Sequence, residues 1–236
     1  MNFARSVKIL SALALLALHT PADAEWKGKG ELGIVFANGN TDTETLNAKI
    51  EMATELDRWK HGFSLAGLKA SSNNLTTAQR YAAGWQSDFK LTERSYWFGA
   101  LRYEDDRFSG FDYQASASTG YGYKLIDTET TKLSAQAGVG YRKLKDALTG
   151  ATSGDAILRG DIGFEHLLTS TTKLLDKLVV ESGSDNTFAG NDLALEVKMS
   201  DALALAVGVG VRYNTDPPVG LKKTDTLTTV NLVYAF

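Results

Sequence analysis

The chain has 236 residues, contains no cysteine and carries 25 basic against 28 acidic side chains, for a net charge of −3. This balance argues against a nucleic-acid partner, because phosphate binding calls for a basic surface. The lack of cysteine excludes disulfide bonds and lipid attachment through an N-terminal cysteine, so stability has to come from backbone pairing and packing.

The first residues have the composition of a secretory leader. Arg5 and Lys8 form a basic segment, the stretch from Ile9 to Leu18 is apolar, and Ala22-Asp23-Ala24 provides a small-x-small cleavage site. The apolar stretch spans about ten residues and is too short to cross a bilayer as a helix. We therefore predict a signal peptide over residues 1–24 and one mature domain over residues 25–236.

From residue 26 onward, apolar and polar side chains alternate with a period of two, which is the pattern of β-strands with one apolar face. Between Leu203 and Tyr213 the odd positions are leucine, valine and tyrosine, whereas the even positions are alanine, glycine and arginine. The alternation predicts twelve strands, over residues 26–37, 43–57, 60–71, 77–90, 95–106, 111–126, 131–145, 155–168, 172–183, 191–199, 203–214 and 224–236.

The connections between these strands fall into two groups. The second, fourth, sixth, eighth and tenth connections are short and rich in Thr, Ser and Asp, which suit tight turns. The odd-numbered connections include longer ones over residues 146–154, 184–190 and 215–223. Bacterial outer-membrane barrels have an even number of strands, short periplasmic turns and long outer loops, so the two groups fit that architecture.

The last predicted strand places Tyr234 and Phe236 on the same face as Leu232 and Val230. The apolar face therefore continues to the final aromatic residue. Aromatic side chains at the end of such a face are typical of a strand that meets the membrane–water boundary.

The opposite faces of the strands carry the charged side chains. A basic residue on the lipid-facing side near mid-bilayer costs about 2–4 kcal/mol, and several would exceed the roughly 5–15 kcal/mol stability of a domain. The charges must therefore face the lumen, where pairs of opposite sign offset the cost of desolvation. The candidate lumen-lining charges are Lys49, Glu51, Arg80, Lys124, Arg142, Arg159, Asp161, Glu165, Glu196, Lys198 and Arg212.

The competing fold is a soluble periplasmic barrel or sandwich with its apolar face inward. A ligand-holding barrel of that kind needs only about eight strands, fewer than the alternation predicts. We therefore predict an all-β fold, an antiparallel transmembrane β-barrel of about twelve strands, because only a closed barrel satisfies the backbone hydrogen bonds of strands in lipid.

Several stretches resemble one family over essentially the whole mature chain. They are Gly39-Asn40-Thr41-Asp42 with Leu46-Asn47, the run from Tyr103 to Tyr113, Val180 to Thr187 with Asn191 to Ala194, and Lys223 to Tyr234. The family they resemble is that of the YdiY-like salt-induced outer membrane proteins, which is defined by a domain of unknown function. The resemblance implies that the strand with Tyr234 and Phe236 acts as an insertion signal for the outer-membrane assembly machinery, and it brings no catalytic residues.

An outer-membrane enzyme that modifies lipid or glycan is the alternative function. Such hydrolysis needs a histidine paired with a serine or a carboxylate. Beyond the leader the chain has His61 and His166, both near predicted periplasmic turns, and His166 shares its face with Leu158 and Ile162. We interpret both as interfacial side chains. Because neither a nucleophile motif nor zinc spacing accompanies them, we expect no catalytic residue, cofactor or metal.

The run Glu104-Asp105-Asp106-Arg107 lies at the outer end of the fifth predicted strand. Adjacent carboxylates offer hard oxygen ligands, so one hypothesis is contact with a divalent cation or with lipopolysaccharide. The run lacks the spacing of a calcium loop, and a solvated loop with a local Asp–Arg pair is the favoured interpretation.

The width of the lumen leaves two interpretations open. Twelve strands lie between about eight, which side chains fill, and about sixteen, which enclose water. Inward glycines such as Gly120, Gly138 and Gly208 remove bulk from one sector and would leave a narrow polar channel. Alternatively, the glycines ease strand curvature while the charges close the lumen.

The sequence thus predicts a protein of the bacterial outer membrane, reached through a secretory signal peptide. Two functions fit it: a narrow polar, porin-like channel, or a structural protein of the envelope stress or salt response, the stress link being implied by the resemblance alone. The expected partners are outer-membrane lipid and lipopolysaccharide and the assembly machinery, and not nucleic acid.

Overall fold

The computed structural model describes residues 25–37, 43–73, 75–106, 109–218 and 220–236. In these ranges the chain forms twelve strands. They are β1 (Trp26–Ala37), β2 (Thr43–Leu56), β3 (Trp59–Ser72), β4 (Leu75–Lys90), β5 (Ser95–Asp106), β6 (Phe111–Asp127), β7 (Thr131–Asp146), β8 (Thr152–Leu167), β9 (Thr172–Gly183), β10 (Thr187–Lys198), β11 (Leu203–Asn214) and β12 (Thr224–Ala235). The predicted signal peptide, residues 1–24, lies outside the described residues.

Each strand pairs antiparallel with its neighbours in chain order, and β1 pairs with β12 to close the barrel. The predicted fold class and strand count are therefore confirmed. The long connection predicted over residues 184–190 is wrong, because Thr187 to Gly190 already pair with β9. The predicted start of β8 is also too late, since the strand begins at Thr152. Period-two alternation is weak at both places, since Gly154 and Gly190 contribute no side chain to either face.

The two ends of the barrel differ in their connections. At one end, here called the turn end, the even-numbered connections join β2 to β3, β4 to β5 and so on, and the tightest of them is the two-residue turn 57–58. The opposite, loop end carries the odd-numbered connections, the longest described one being residues 215–223 between β11 and β12. β1 starts and β12 ends at the turn end, in agreement with the parity of the connections.

The outer face of the wall is apolar and exposed. Leu158, Val139 and Leu101 are 67%, 59% and 51% exposed. Many other large apolar side chains on alternate strand positions are also exposed. Such an exposed band is far larger than a soluble monomer tolerates, and it is what a lipid environment stabilises. Among the described residues, no helix is long and apolar enough to span a membrane.

The β1–β12 seam closes the barrel and is short. Backbone pairing runs from Lys29↔Ala235 to Leu32↔Leu232 and continues at the turn end through two hydrogen bonds between Gly28 and Phe236 (2.8 and 2.9 Å). Beyond Leu32, side chains take over from the backbone: Asn47 on β2 donates to Asn231 on β12 (2.8 Å), and Asn231 donates to Glu31 (3.0 Å). Gly33 lies under this amide bridge, and a side chain there would collide with both asparagines.

Tyr234 and Phe236 lie on the outer face of β12 at the turn end. Their side chains are 54% and 57% exposed, and their rings stack with centroids 6.2 Å apart. The ring of Phe236 covers Gly28 on β1, so the aromatic pair also packs against the seam.

Candidate functional site

The inside of the barrel contains two groups of ion pairs, and the larger one is buried. We call it the arginine cluster: Arg102 and Glu104 on β5, Arg142 on β7, Asp155, Arg159 and Asp161 on β8, and Glu181 on β9. Glu181 and Arg142 are completely buried. Arg102, Arg142 and Glu181 lie within four residues of the loop-end termini of their strands, so the cluster occupies the loop-end half of the lumen.

Glu181 is the centre of the arginine cluster. Its carboxylate accepts hydrogen bonds from Arg102 Nη2 (2.7 Å), Arg159 Nη1 (3.1 Å) and the Ser116 hydroxyl (2.7 Å). Its backbone carbonyl accepts a further bond from Arg142 Nη1 (3.2 Å). Such charge-assisted bonds are short and directional, and together they hold strands that are distant in sequence in one fixed arrangement.

The arginines are fixed by more than Glu181. Arg159 makes a two-pronged pair with Asp161 (2.7 and 2.8 Å), and the guanidinium of Arg102 lies 4.2 Å from the ring centre of Phe188. The planar guanidinium group suits both kinds of contact. Even so, Arg102 Nη1, Arg142 Nε and Asp155 Oδ1 are buried without a hydrogen-bond partner in the described part of the chain.

The second group of ion pairs, the lysine cluster, lies on β1 and β2. Lys29 lies between Glu31 (3.3 Å) and Glu51 (3.2 Å), and Lys49 pairs with Glu51 (3.0 Å). The side chains of Lys49 and Glu51 are 36% and 30% exposed. These side chains are therefore partly exposed, and water weakens their mutual attraction more than in the buried arginine cluster.

The inward glycines of β6 and β7 leave no open space in their sector. The ring of Phe98, which is fully buried, lies against Gly138, and the ring of Tyr96 covers Gly122. On β11, a Cβ at Gly208 would lie 3.1 Å from the Thr229 hydroxyl, and the inward residues Ala204 and Ala206 are buried together with Val233 on β12. The inward glycines therefore leave no open space on the β5–β7 side, and small buried side chains line the β11–β12 side.

The other predicted lumen charges lie nearer the two rims. Arg80 approaches Asp106 (4.0 Å) and Arg212 pairs with Asp192 (2.9 Å). At the turn end, the ion pairs are Lys124 with Asp127 (3.0 Å), Glu165 with Lys173 (3.2 Å) and Lys198 with Asp201 (2.8 Å). Glu196 lines a turn-end cavity together with Lys198 and Lys29.

Two cavities open at the turn end of the barrel. One, of about 320 Å³, is lined by residues of the β2–β7 side, including Lys60, Asp88 and Lys124. The other, of about 310 Å³, lies on the side of β1 and β8–β12. The lumen is thus accessible from the turn end, with charged side chains of both signs along its walls.

One loop reaches across the loop end. In its described parts, residues 215–218 and 220–223, Pro218 and Leu221 lie against Gly110, which belongs to the β5–β6 turn. Because β5–β6 and β11–β12 lie on opposite sides of a twelve-stranded barrel, this contact places the loop across the mouth. Gly110 has φ +85°, a conformation that favours glycine, so the position is restricted by the backbone as well as by the contact.

The first three residues of the acidic run belong to β5, as the predicted strand over residues 95–106 has them, so the interpretation of the run as a solvated loop is wrong for the buried Glu104. Residues 104–106 belong to β5, and alternation separates them: Glu104 is buried beside Arg102 (3.6 Å), whereas Asp105 lies on the outer face. No group of three or more potential metal ligands occurs among the described residues. Arg107 lies outside the described residues.

Both histidines of the barrel lie near the turn end. His61 Nδ1 is 2.8 Å from the Ser87 hydroxyl and is stacked between Trp59 and Trp85, while His166 Nδ1 is 2.8 Å from the Thr131 hydroxyl. Ser87 is itself buried. Among the described residues, no carboxylate hydrogen-bonds to either histidine, so the third group of a hydrolytic triad is missing from these contacts.

Sequence reasoning missed Arg102, Glu104 and Asp155 as lumen residues. Arg102 could have been found, because it follows Phe98 and Ala100 on the face opposite Trp97 and Leu101. Asp155 falls at the start of its predicted strand, where the alternation has no preceding residues to fix its face.

Comparison with known proteins agrees with this architecture. The model of the family described as "Protein of unknown function, DUF481" matches residues 30–236. A curated relative, the "Uncharacterized protein YdiY" of Escherichia coli (strain K12), is 27% identical over 225 residues, which is 91% of this chain and 86% of that protein.

Solved structures with the same fold include the NanC porin, with a TM-score of 0.54 and 10% identity over 89% of this chain and 98% of that chain. Another is the COG4313 outer membrane channel from Pseudomonas putida F1, with a TM-score of 0.52 and 11% identity over 92% of this chain and 97% of that chain. At these identities the likeness concerns the fold alone.

Proposed function

The chain belongs to the family described as Protein of unknown function, DUF481, and we propose that it is an outer-membrane barrel that works as a narrow polar channel, closed at its outer mouth in the resting state. The turn end would face the periplasm and the loop end the outside, as in other bacterial barrels. The exposed apolar outer face and the charged interior support this placement.

One observation carries the proposal of a closed channel: the blockage of the lumen is polar. A barrel that is filled only for stability gains most from apolar side chains, because a buried ion pair is often no better than a well-packed apolar group of the same volume. Here the obstruction consists of three arginines and four carboxylates, several with buried atoms that lack partners. Such atoms regain hydrogen bonds once water enters, which favours a gate over a permanent plug.

The test is electrical recording from planar lipid bilayers with the purified, refolded barrel. We expect the wild-type protein to give small, infrequent conductance steps. Glu181→Gln removes the central charge that holds Arg102 and Arg159 together, so steps should become larger or more frequent and shift toward anions. Glu51→Gln makes the same chemical change in the partly exposed lysine cluster and is the matched control, with at most a small change in conductance.

A loop variant separates the two parts of the closure. Leu221→Ser weakens the contact with Gly110 across the mouth while leaving the arginine cluster intact. The channel proposal is contradicted if the wild-type protein and all three variants insert into the bilayer and migrate as folded barrels but show no conductance steps.

A structural role in the envelope under salt or osmotic stress is the second candidate. The arginine cluster favours it, because it ties β5, β8 and β9 together in the wall and leaves little free space there. Under this role, loss of the gene would sensitise cells to detergents and to high salt, and complementation with Glu181→Gln would restore resistance only if the barrel stayed folded. Under the channel role, the phenotype of cells complemented with each variant would instead follow the conductance measured for that variant.

We also propose that the aromatic pair on β12 is read during assembly. Tyr234 and Phe236 are exposed on the outer face beside the seam, where an assembly factor could bind them before the barrel closes. Replacing Phe236 by Ser should lower the amount of folded barrel in the outer membrane without changing the amount synthesised. Lipid and lipopolysaccharide are the expected surroundings of the apolar band.

A further inference from the structure

Away from the strand ends, one charged side chain of the described strands departs from the rule that charges face the lumen. Asp176 on β9 lies on the outer face, because the alternation of this strand sends Lys177 and Glu181 inward. It lies directly opposite Phe164 on β8 and Leu193 on β10, and its outward neighbours along the strand are Leu174 and Leu178. A carboxylate therefore sits within the apolar band.

Asp176 does not lie at the edge of that band. It is four residues from the turn-end start of β9 and seven from the loop-end terminus. The outward charges Lys143 and Lys145 on β7, by comparison, lie within three residues of the loop end of their strand. The outward side chains around Asp176 (Phe164, Leu174, Leu178 and Leu193) are all apolar and cannot solvate a carboxylate, and a polar group in such surroundings is a functional hypothesis by default.

Asp176 has one polar neighbour, Asn191 on β10. Asn191 Nδ2 donates to Asp176 Oδ1 (2.7 Å) and makes a long contact with the backbone carbonyl of Lys177 (3.4 Å). Within the described part of the chain, no other side-chain hydrogen bond reaches either group. The pair therefore leaves one carboxylate oxygen and one amide oxygen without a donor, and one amide hydrogen only weakly engaged.

The surface beside this pair allows close approach. Gly160 on β8 has nothing within 4 Å of where a Cβ would be, and Ala189 flanks Asn191 on β10. Gly160 and Ala189 both lie opposite Val180, one outward row beyond Asn191. Between transmembrane helices, small residues beside a polar side chain mark association surfaces, because backbones approach closely and polar groups pair across the contact, and the same physical reason applies to this face. Lipid acyl chains offer no hydrogen bond to this pair.

We propose that the outer face of β8–β10, centred on Asp176 and Asn191, is the interface through which two copies of this chain associate in the membrane. The weakly engaged amide hydrogen of Asn191 on one copy can donate to the free carboxylate oxygen of Asp176 on a second copy, and a two-fold axis makes this contact reciprocal. An interface of this type is self-complementary, which is the requirement for a symmetric dimer. The proposal rests on the membrane placement and is independent of conductance.

The absence of cysteine from the chain gives a clean cross-linking experiment. Ala189→Cys lies in the proposed interface, and Ala48→Cys is the matched control, since Ala48 is an exposed outward alanine on β2. Isolated membranes carrying each single-cysteine protein are oxidised and analysed on non-reducing gels. We expect a disulfide-linked species of twice the barrel mass for Ala189→Cys and none for Ala48→Cys.

A second variant connects the cross-link to the polar pair. In the Ala189→Cys background, Asp176→Leu should reduce cross-linking at least tenfold, whereas Asp176→Asn retains a hydrogen-bonding group and should keep most of it. Heat-modifiable migration on gels shows that each variant is folded in the membrane. The proposal is overturned if the folded barrel stays monomeric or cross-links equally well at both alanines. It is also overturned if Asp176→Leu leaves cross-linking unchanged, or if the linked partner has another mass. Wild-type chain recovered folded in the soluble fraction, and not in membranes, would instead overturn the membrane placement.

Discussion

The two groups of ion pairs inside the barrel obey the same sequence rule and behave differently. The arginine cluster is buried, with Glu181 and Arg142 completely inaccessible, whereas Lys29, Lys49 and Glu51 of the lysine cluster are 30–36% exposed. The difference follows from the cations. The guanidinium group stacks on Phe188 and forks onto Asp161, while the ammonium of Lys29 is a point charge that keeps its water. Ion pairs inside a barrel can therefore be buried or partly exposed, depending on whether arginine or lysine provides the cation.

The largest expected effect comes from removing the centre of the closed cluster. Glu181→Ala leaves Arg102 and Arg159 buried without their shared anion, which typically costs about 3–5 kcal/mol. Glu51→Ala in the lysine cluster should cost less, because the lysines left behind are about one third exposed and no fully buried cation loses its partner. Urea unfolding in lipid vesicles, followed by tryptophan fluorescence, measures both. Equal losses for the two variants would mean that the clusters do not differ in the way described.

The next effect tests packing rather than charge. Gly138→Val places a side chain against the Phe98 ring (2.9 Å from the first added carbon) and the backbone of β6, so we expect a loss of about 1–3 kcal/mol. Gly30→Val on β1 meets nothing within 4 Å and should be neutral or slightly stabilising, since valine favours strands. The same unfolding experiment reports both. A tolerated Gly138→Val would show that the β5–β7 side is looser than its burial suggests.

These contrasts mark the limit of what the sequence can predict. Alternation determines which face a side chain occupies, and this is enough for the twelve strands, the turn and loop ends and the inward position of residues such as Arg142 and Lys49. It cannot determine which inward charges meet, because Arg102 and Glu181 are 79 residues apart and their contact depends on the stagger of strands around the barrel.

The same limit explains the errors at strand ends. Three consecutive acidic residues suggest that Glu104 is solvated, and although the predicted strand over residues 95–106 contains it, its burial depends on its partner Arg102. The outward position of Asp176 is not evident from the sequence, because it breaks the period that identifies its strand. In both cases a tertiary partner, Arg102 or Asn191, overrides the local pattern.

A smaller effect concerns selectivity. Replacing both Lys29 and Lys49 by Gln leaves Glu31 and Glu51 without cations, so any current through the lumen should become more cation-selective. The reversal potential under a KCl gradient measures this shift. Near 1 M ionic strength, where screening acts within about 3 Å, the difference from wild type should fade. A shift that persists unchanged at high salt would indicate that these side chains act through structure and not through charge.

The smallest effect lies at the rim, where a single ion pair is fully exposed. The hydrogen bond from Lys198 Nζ (2.8 Å) lowers the pKa of Asp201 in the β10–β11 turn below its ordinary value. A carboxyl group with a lowered folded-state pKa stabilises the fold above its unfolded pKa, near 3.9, and loses that contribution as the pH falls through the lowered value. Asp201→Asn should therefore flatten the acid limb of stability against pH slightly and leave stability at neutral pH almost unchanged. Unfolding titrations of the two proteins between neutral and strongly acidic pH compare these slopes, and an Asp201→Asn variant with a steeper acid limb would reverse the assignment. Asp201 is exposed and Glu181 is completely buried. We therefore expect the Asp201 ion pair to contribute least to the stability of the fold and the Glu181 ion pairs to contribute most, because burial of the carboxylate removes screening by water.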